Sequence, residues 1–332
     1  MMKLSTMKLI MDTIDQDWKS TLAESILERW DYDKGTVYFI RASANFIFIF
    51  KKDGKHFFLR FNDSSERTVE TIASELSILQ YLHTKGIHAA QPVPSKNGQM
   101  LEVVKTELGT FHAVVFEAVP GRHEEWGDIT QENIYRWGNA LGKLHDVCKE
   151  MPQEYVTVRP SWRDQVAELQ LFLPESNALL QKEISELLNS IKKLQITKEN
   201  FGLIHYDFEL DNLLFSENMI GIIDFDDCIT SWYVADIVYA LRDAGNFRLD
   251  SLEVQSFLKG YENETSIDAN ILKEASVFER LHRLVMYARL TRSIDIKTTE
   301  SDPQWLRQLQ HKLSSMVNEY LLWINERESK NE

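Results

Sequence analysis

Three oxygen-bearing side chains stand close together in the stretch HYDFELDNLLFSENMIGIIDFDD, residues 205 to 227: Asp207, Asn212 and Asp224. Asn212 follows Asp207 by five positions, and Asp224 follows Asn212 by twelve. The polar segment Ser216-Glu217-Asn218 separates two short apolar runs, so residues 212 to 224 read as a hairpin whose ends bring Asn212 and Asp224 side by side. Such a set suits phosphoryl transfer. A carboxylate must accept the proton of an attacking hydroxyl, a task that fits Asp207. Hard oxygen ligands must hold magnesium against phosphate, a task that fits Asn212 and Asp224.

Protein kinases share this logic and nearly this spacing, with an Asn five positions beyond the Asp of HRD and a later DFG. HYDFELDN followed by IIDFDD resembles the aminoglycoside phosphotransferase and choline kinase-like families, whose loop reads HxDxxxxN and whose metal motif reads IDFxD. The segments LGKLHDV (Leu141 to Val147) and WYVADIVYALRD (Trp232 to Asp243) are similar to the same families, which place an aspartate where Asp236 stands. The resemblance implies a two-lobed protein-kinase-like fold, ATP and Mg2+ as cofactors, and a hydroxyl-bearing small molecule as acceptor. Tyr206 and Glu209 stand where many members have Gly and His, a departure from the aminoglycoside-type loop.

The nucleotide side carries no GxxxxGK[ST] and no GxGxxG. The turn Arg41-Ala42-Ser43-Ala44-Asn45 is the expected phosphate loop, with Ser43 and Asn45 bringing backbone N–H groups to phosphate. Arg60 in HFFLRF is the expected phosphate cation; most kinase-like proteins have Lys there, and choline kinase-like members resemble this chain in using Arg. Glu75 is its expected partner and Glu70 the second choice. The segment VVFEAVPGR is the expected hinge, where backbone groups of Glu117 and Val119 would meet adenine.

For the acceptor, Glu209, Asp226 and Trp232 suggest an acidic and aromatic wall for an amine or quaternary ammonium. The plainer readings are that Asp226 binds metal and that Trp232 is core. Arg283, four residues before Tyr287, suits a carboxylate-bearing acceptor or a solvated helix face.

These residues need a scaffold. Ile14, Trp18, Leu22, Ile26 and Trp30 predict one amphipathic helix over 12–30. GTVYFIRA, NFIFIFKKDGKHFFLRF and HAVVFEAV read as strands, with Asp53-Gly54 as a hairpin turn. Between them Ile72, Leu76, Leu79 and Leu82 stripe a helix from about Arg67 to Lys85. Beyond Pro120-Gly121 helical periodicity takes over: Ile134 to Leu144, Val166 to Leu173, Ile184 to Leu194, and again from Asp250 to Asn325. The expected fold class is therefore α+β: an antiparallel-sheet lobe with one main helix over 1–118, and a larger helical lobe over 119–332.

The 332 residues carry 43% hydrophobic and 27% charged side chains, the balance of a globular protein. A net charge of −14 argues against nucleic acid or an anionic membrane as partner. The two cysteines, Cys148 and Cys228, form no metal-binding pattern. Lys8 and Asp12 interrupt the first apolar run, so no signal peptide is expected, no run spans a membrane, and a cytoplasmic location follows. Two other functions compete: an atypical Ser/Thr protein kinase, for which no activation segment follows Asp224, and a nucleotide-binding relative without catalysis, against which all three positions are filled.

Overall fold

The computed structural model describes residues 1–172, 177–245 and 247–329. In chain order the elements begin with α1 (Leu4–Met11), α2 (Thr21–Leu27), β1 (Tyr38–Ala42), β2 (Phe46–Lys52), β3 (Lys55–Asp63), α3 (Val69–Thr84), β4 (Pro92–Val93), β5 (Glu102–Thr106) and β6 (Gly109–Glu117). There follow α4 (Gln131–Lys149), α5 (Gln153–Val156), α6 (Trp162–Phe172), α7 (Ala178–Ile191), β7 (Phe201–Ile204), β8 (Leu213–Phe215), β9 (Ile220–Ile222) and β10 (Ile229–Trp232). The chain ends in helices α8 (Tyr233–Ala240), α9 (Leu252–Glu262), α10 (Ala269–Leu272), α11 (Ala275–Ser293) and α12 (Gln304–Ser329). Leu173, expected at the end of the α6 stripe, lies outside the described residues.

The chain divides into two compact units: residues 1–76, 91–118 and 286–332, and residues 77–90 and 119–285. A segment boundary falls between residues 118 and 119, and each unit combines segments that the expected lobes 1–118 and 119–332 keep apart. The physical reason lies in α12, whose Leu306 and Leu313 are buried in one cluster with Leu4 of α1 and Leu290. Periodicity announces such a helix without saying which surface buries it.

The first unit is built on an antiparallel sheet in the order β1-β2-β3-β6-β4, with β5 also paired to β6. Asp53 (φ 52°) and Gly54 (φ 75°) turn the β2–β3 hairpin, two successive positive-φ residues of the kind that match strand twist. Alternation puts Phe46, Phe48, Phe50, Leu59 and Phe61 on the core face beneath α1 and α2. Arg60, between Leu59 and Phe61, therefore points to the opposite face. Of the helix predicted over 12–30 only α2 is helical, and residues 12–20 form a turn after α1. The Asp15 carboxylate accepts from the amides of Asp17 and Lys19, both at 2.9 Å, and Trp18 sits at φ 61°. Side-chain capping of this kind competes with helix, and Ser20 then opens α2 by accepting from the amide of Ala23.

In the second unit α4 and α9 approach closely through glycine: a Cβ on Gly138 would lie 1.9 Å from the Phe257 carbonyl oxygen. β8 and β9 form the expected hairpin, with Leu213 opposite Ile222. β7 pairs with β10, a strand that sequence reading missed. Among the described residues, no helix is long and apolar enough to cross a membrane.

Candidate active site

The loop after β7 is held by its backbone. Asp236, fully buried on α8, accepts from the amides of His205 (2.7 Å) and Tyr206 (2.8 Å). It also accepts from His145 Nε2 on α4 at 3.0 Å, while His145 Nδ1 accepts from the Tyr261 hydroxyl at 2.8 Å. Burial pushes the His145 pKa down despite the neighbouring carboxylate, so the imidazole works as a neutral bridge. Tyr206 takes a φ of 76°, and its ring is buried against Tyr239 and His282.

His205 closes the other side. Its Nε2 faces the Ile223 carbonyl at 3.0 Å, and burial likewise lowers its pKa, so this nitrogen carries the proton and donates. The ring therefore ties the loop to the residue before Asp224 and serves the backbone.

Asn212 and Asp224 meet as the hairpin requires. The Ile223 amide donates to the Asn212 carbonyl at 3.0 Å, one step beyond the Leu213–Ile222 pair. Asn212 Nδ2 donates to the backbone carbonyl of Asp207 at 2.9 Å, which fixes the amide's orientation. Its Oδ1 is buried and has no hydrogen-bond partner among the described residues. Asp224 takes the left-handed conformation, φ 65° and ψ 61°. For a residue with a Cβ this costs about 1–2 kcal/mol, and such outliers collect at functional sites. The loop that follows is held by buried Arg159, which donates to the carbonyls of Cys228 (2.9 Å) and Asp226 (2.6 Å).

Asp207 is less enclosed, its side chain 31% exposed. Arg242, just past α8, donates from Nη1 to Asp207 Oδ1 at 3.4 Å and from Nη2 to Glu209 Oε2. Burial pushes the Glu209 carboxyl up to about 7; Arg242 opposes the shift, and Asp207, Asp243 and Asp211 add to it. Burial works against the Arg242 charge, but Asp207, Glu209 and Asp243 outweigh it and raise its pKa further.

On the first unit, Arg60 donates from both Nη1 and Nη2 to the two oxygens of Glu75, each at 2.7 Å, and both side chains are buried. The guanidinium also lies 5.0 Å from the Phe116 ring centre. Glu75 thus holds the place for which Glu70, exposed in the first turn of α3, was second choice. Ser43 is exposed in the turn between β1 and β2. Asn45 is buried and its Oδ1 accepts from Asn62, so its side chain braces the turn from within. Glu117 ends β6, and its amide donates to the Gln91 carbonyl. Val119, the first residue of the second unit's longer segment, packs over Gly221, where an added Cβ would lie 2.1 Å from the Val119 Cγ1.

The acceptor residues fare unevenly. Trp232 corrects the expectation: it is core, packed between Trp162, Phe201 and Phe278 with its indole N–H bound to the Gln195 carbonyl. An indole this enclosed offers no face to a cation. Asp226 is buried in the turn after Asp224, and Arg283 is half-buried on α11. Sequence reading missed Arg159 and Arg242. A single arginine in a loop or after an apolar helix has no spacing signature. Only the placement of Arg242 six residues past Asp236, inside WYVADIVYALRD, hinted at it.

Chemically, the second unit offers one half-open carboxylate, one orphaned amide oxygen and one strained carboxylate on a single loop-and-hairpin frame. Among the described residues, no three His, Cys, Asp or Glu side chains converge as a self-contained metal cage. That suits magnesium, which takes one or two protein oxygens and completes its shell with phosphate and water.

A model of the phosphotransferase enzyme family matches residues 39–270, more than half of the chain. The chain is 26% identical over 292 residues to amicoumacin kinase from Bacillus subtilis (strain 168), covering 84% of this chain and 87% of the relative. A solved amicoumacin kinase in complex with AMP-PNP, Ca2+ and Ami superimposes with a TM-score of 0.77 at 22% identity, covering 92% of both chains. A microcompartment-associated aminopropanol kinase gives 0.69 at 21% identity, covering 92% of this chain and 98% of its own. These likenesses establish the kinase-like α+β fold.

Proposed function

The chain belongs to the phosphotransferase enzyme family, and we propose that it moves the γ-phosphoryl group of ATP, with Mg2+, to a hydroxyl of a small amine-bearing molecule. Asp207 accepts the hydroxyl proton as the new O–P bond forms and the bond to the bridging oxygen breaks, releasing ADP. A positioned base of this kind contributes roughly 10²- to 10⁴-fold. Asn212 Oδ1 and the Asp224 carboxylate hold the metal, which when bound neutralises phosphate charge. The observation that carries this reading is the Asn212 amide: its nitrogen is committed to the Asp207 carbonyl, and its buried oxygen is left without a partner. An unpaired buried acceptor costs about 1–3 kcal/mol, a cost that a bound cation removes.

Arg60, backed by Glu75, steadies the α- and β-phosphates, the Ser43–Asn45 turn supplies backbone N–H groups, and backbone groups of Glu117 and of Val119 are the ones that would meet adenine. The acceptor is small because the chain passes from Asp224 through one turn and β10 directly into α8, without an activation segment. An ammonium on it would meet Glu209, which stands among Asp207, Asp211 and Asp243. The name of the aminopropanol kinase supports an amine beside the hydroxyl. The cation–π part of the expectation falls with Trp232. A cytoplasmic place of action belongs to the same proposal.

The test is an ATP-consumption screen over 1-amino-2-propanol, L-homoserine, sugars and aminoglycosides, with and without magnesium, repeated with Asp207→Ala. Transfer should require magnesium and vanish in the variant while ATP binding survives. Wild-type turnover by Asp207→Ala would refute the role of Asp207.

A further inference from the structure

The turn that follows α8 bears a residue to which nothing above assigns a task. Asp236 on α8 holds the backbone of the loop at His205 and Tyr206. Six residues later Arg242 reaches the side chains of the same loop. Its Nη1 also donates to the Tyr239 carbonyl at 3.3 Å, which fixes the guanidinium against its own helix end. One contiguous element therefore meets the loop twice, once at its amides and once at its carboxylates.

We infer that Arg242 is the positioning residue for the proton acceptor, gripping Asp207 by one oxygen while Glu209 holds its other arm. The inference rests on the reading of Asp207 as base. Arg242 engages Oδ1 of Asp207, and Asn212 binds the Asp207 backbone carbonyl, so Oδ2 remains for the acceptor hydroxyl. A carboxylate on a half-exposed loop position has two side-chain torsions to lose, and a misplacement of about 1 Å can cost 10²-fold in rate. The planar fork of arginine binds two carboxylates in fixed directions, and a lysine ammonium does not. Glu209 is then explained as the anchor of Arg242. This accounts for the unusual carboxylate two residues past the base without asking it to do chemistry.

The experiment measures steady-state turnover of magnesium-ATP with 1-amino-2-propanol and L-homoserine in Arg242→Gln, Arg242→Lys, Glu209→Gln and the double variant, with Asp207→Asn alongside. Arg242→Gln should lower kcat 30- to 100-fold with KM for ATP within twofold, and Arg242→Lys should recover part of that loss. Glu209→Gln should lower kcat 3- to 10-fold and raise KM for the acceptor, and the double variant should have a kcat no lower than Arg242→Gln, because Glu209 reaches Asp207 only through the arginine and meets the acceptor's ammonium only in binding. A kcat for Arg242→Gln within threefold of wild type, or multiplying losses in the double variant, would overturn the inference. An active Asp207→Asn would instead overturn the base assignment. One further readout needs no acceptor. In crystals of Arg242→Gln the Asp207 carboxylate should occupy more than one rotamer where wild type shows one, and a single unchanged rotamer counts against the grip.

Discussion

Two arginine–carboxylate clusters divide the charged work of this protein, and they are built on opposite plans. Arg60 and Glu75 in the first unit are both buried and joined by two equal bonds of 2.7 Å. Arg242 in the second unit is shared between Asp207 and Glu209, and all three side chains keep 23–31% of their surface. The first cluster is closed, its arginine and glutamate both buried. The second has two carboxylates for one cation, partial access to water, and beside it an amide oxygen with no partner. A pair that only has to present a cation in a fixed place can be sealed. On the proposed reading the second cluster takes up a proton and releases it again, which requires that it stay open.

The largest effect should come from breaking the sealed pair. Glu75→Ala removes both carboxylate oxygens bound to a buried guanidinium, which costs about 3–5 kcal/mol. Arg242→Gln removes a half-exposed interaction and should cost no more than about 1 kcal/mol. Urea unfolding of both variants tests the contrast, and equal losses would dissolve it. Arg242→Gln should fold normally and turn over slowly.

An acid limit should follow from the two histidines that frame the loop. Burial holds His145 and His205 below their ordinary pKa, so each is neutral when folded and binds a proton more readily when unfolded. Their contribution is complete above the unfolded value, about 6.5. It is lost as pH falls from there through the folded values, by up to about 1.4 kcal/mol per pH unit for each group. Urea midpoints measured from pH 7.5 to 5 should fall, and His145→Gln should flatten the slope. A midpoint independent of pH would mean that neither imidazole is kept neutral by the fold.

The same comparison explains what could be read in advance. The strands, the Asp53-Gly54 turn and the α3 stripe were legible because period and turn chemistry are local. The nearness of Asn212 to the strand end before Asp224 was legible because a hairpin converts fixed spacing into adjacency. Trp232 was misread: an aromatic next to an acidic loop looks alike whether it faces a ligand or the core, and only the packing of Trp162, Phe201 and Phe278 decides. Arg242 was missed because its partners lie more than 30 residues away, across three strands and a helix. Asp15 broke the first predicted helix through two hydrogen bonds that no periodicity measures.

The smallest effect on stability should be the most telling for the open cluster. Asp224 keeps a left-handed backbone that glycine adopts without strain. If the strain is retained for the metal, Asp224→Gly should unfold no earlier than wild type and gain up to about 1 kcal/mol, the relief being partly offset by the greater freedom of glycine in the unfolded chain. Turnover should fall at least 100-fold in the same variant, because the carboxylate that faces the metal is gone. A clear loss of stability would show that the Asp224 side chain holds the loop together, and the strain would then be a cost of architecture, with no bearing on catalysis. Stability kept while activity disappears is the signature of a residue placed for a ligand at the expense of its own backbone.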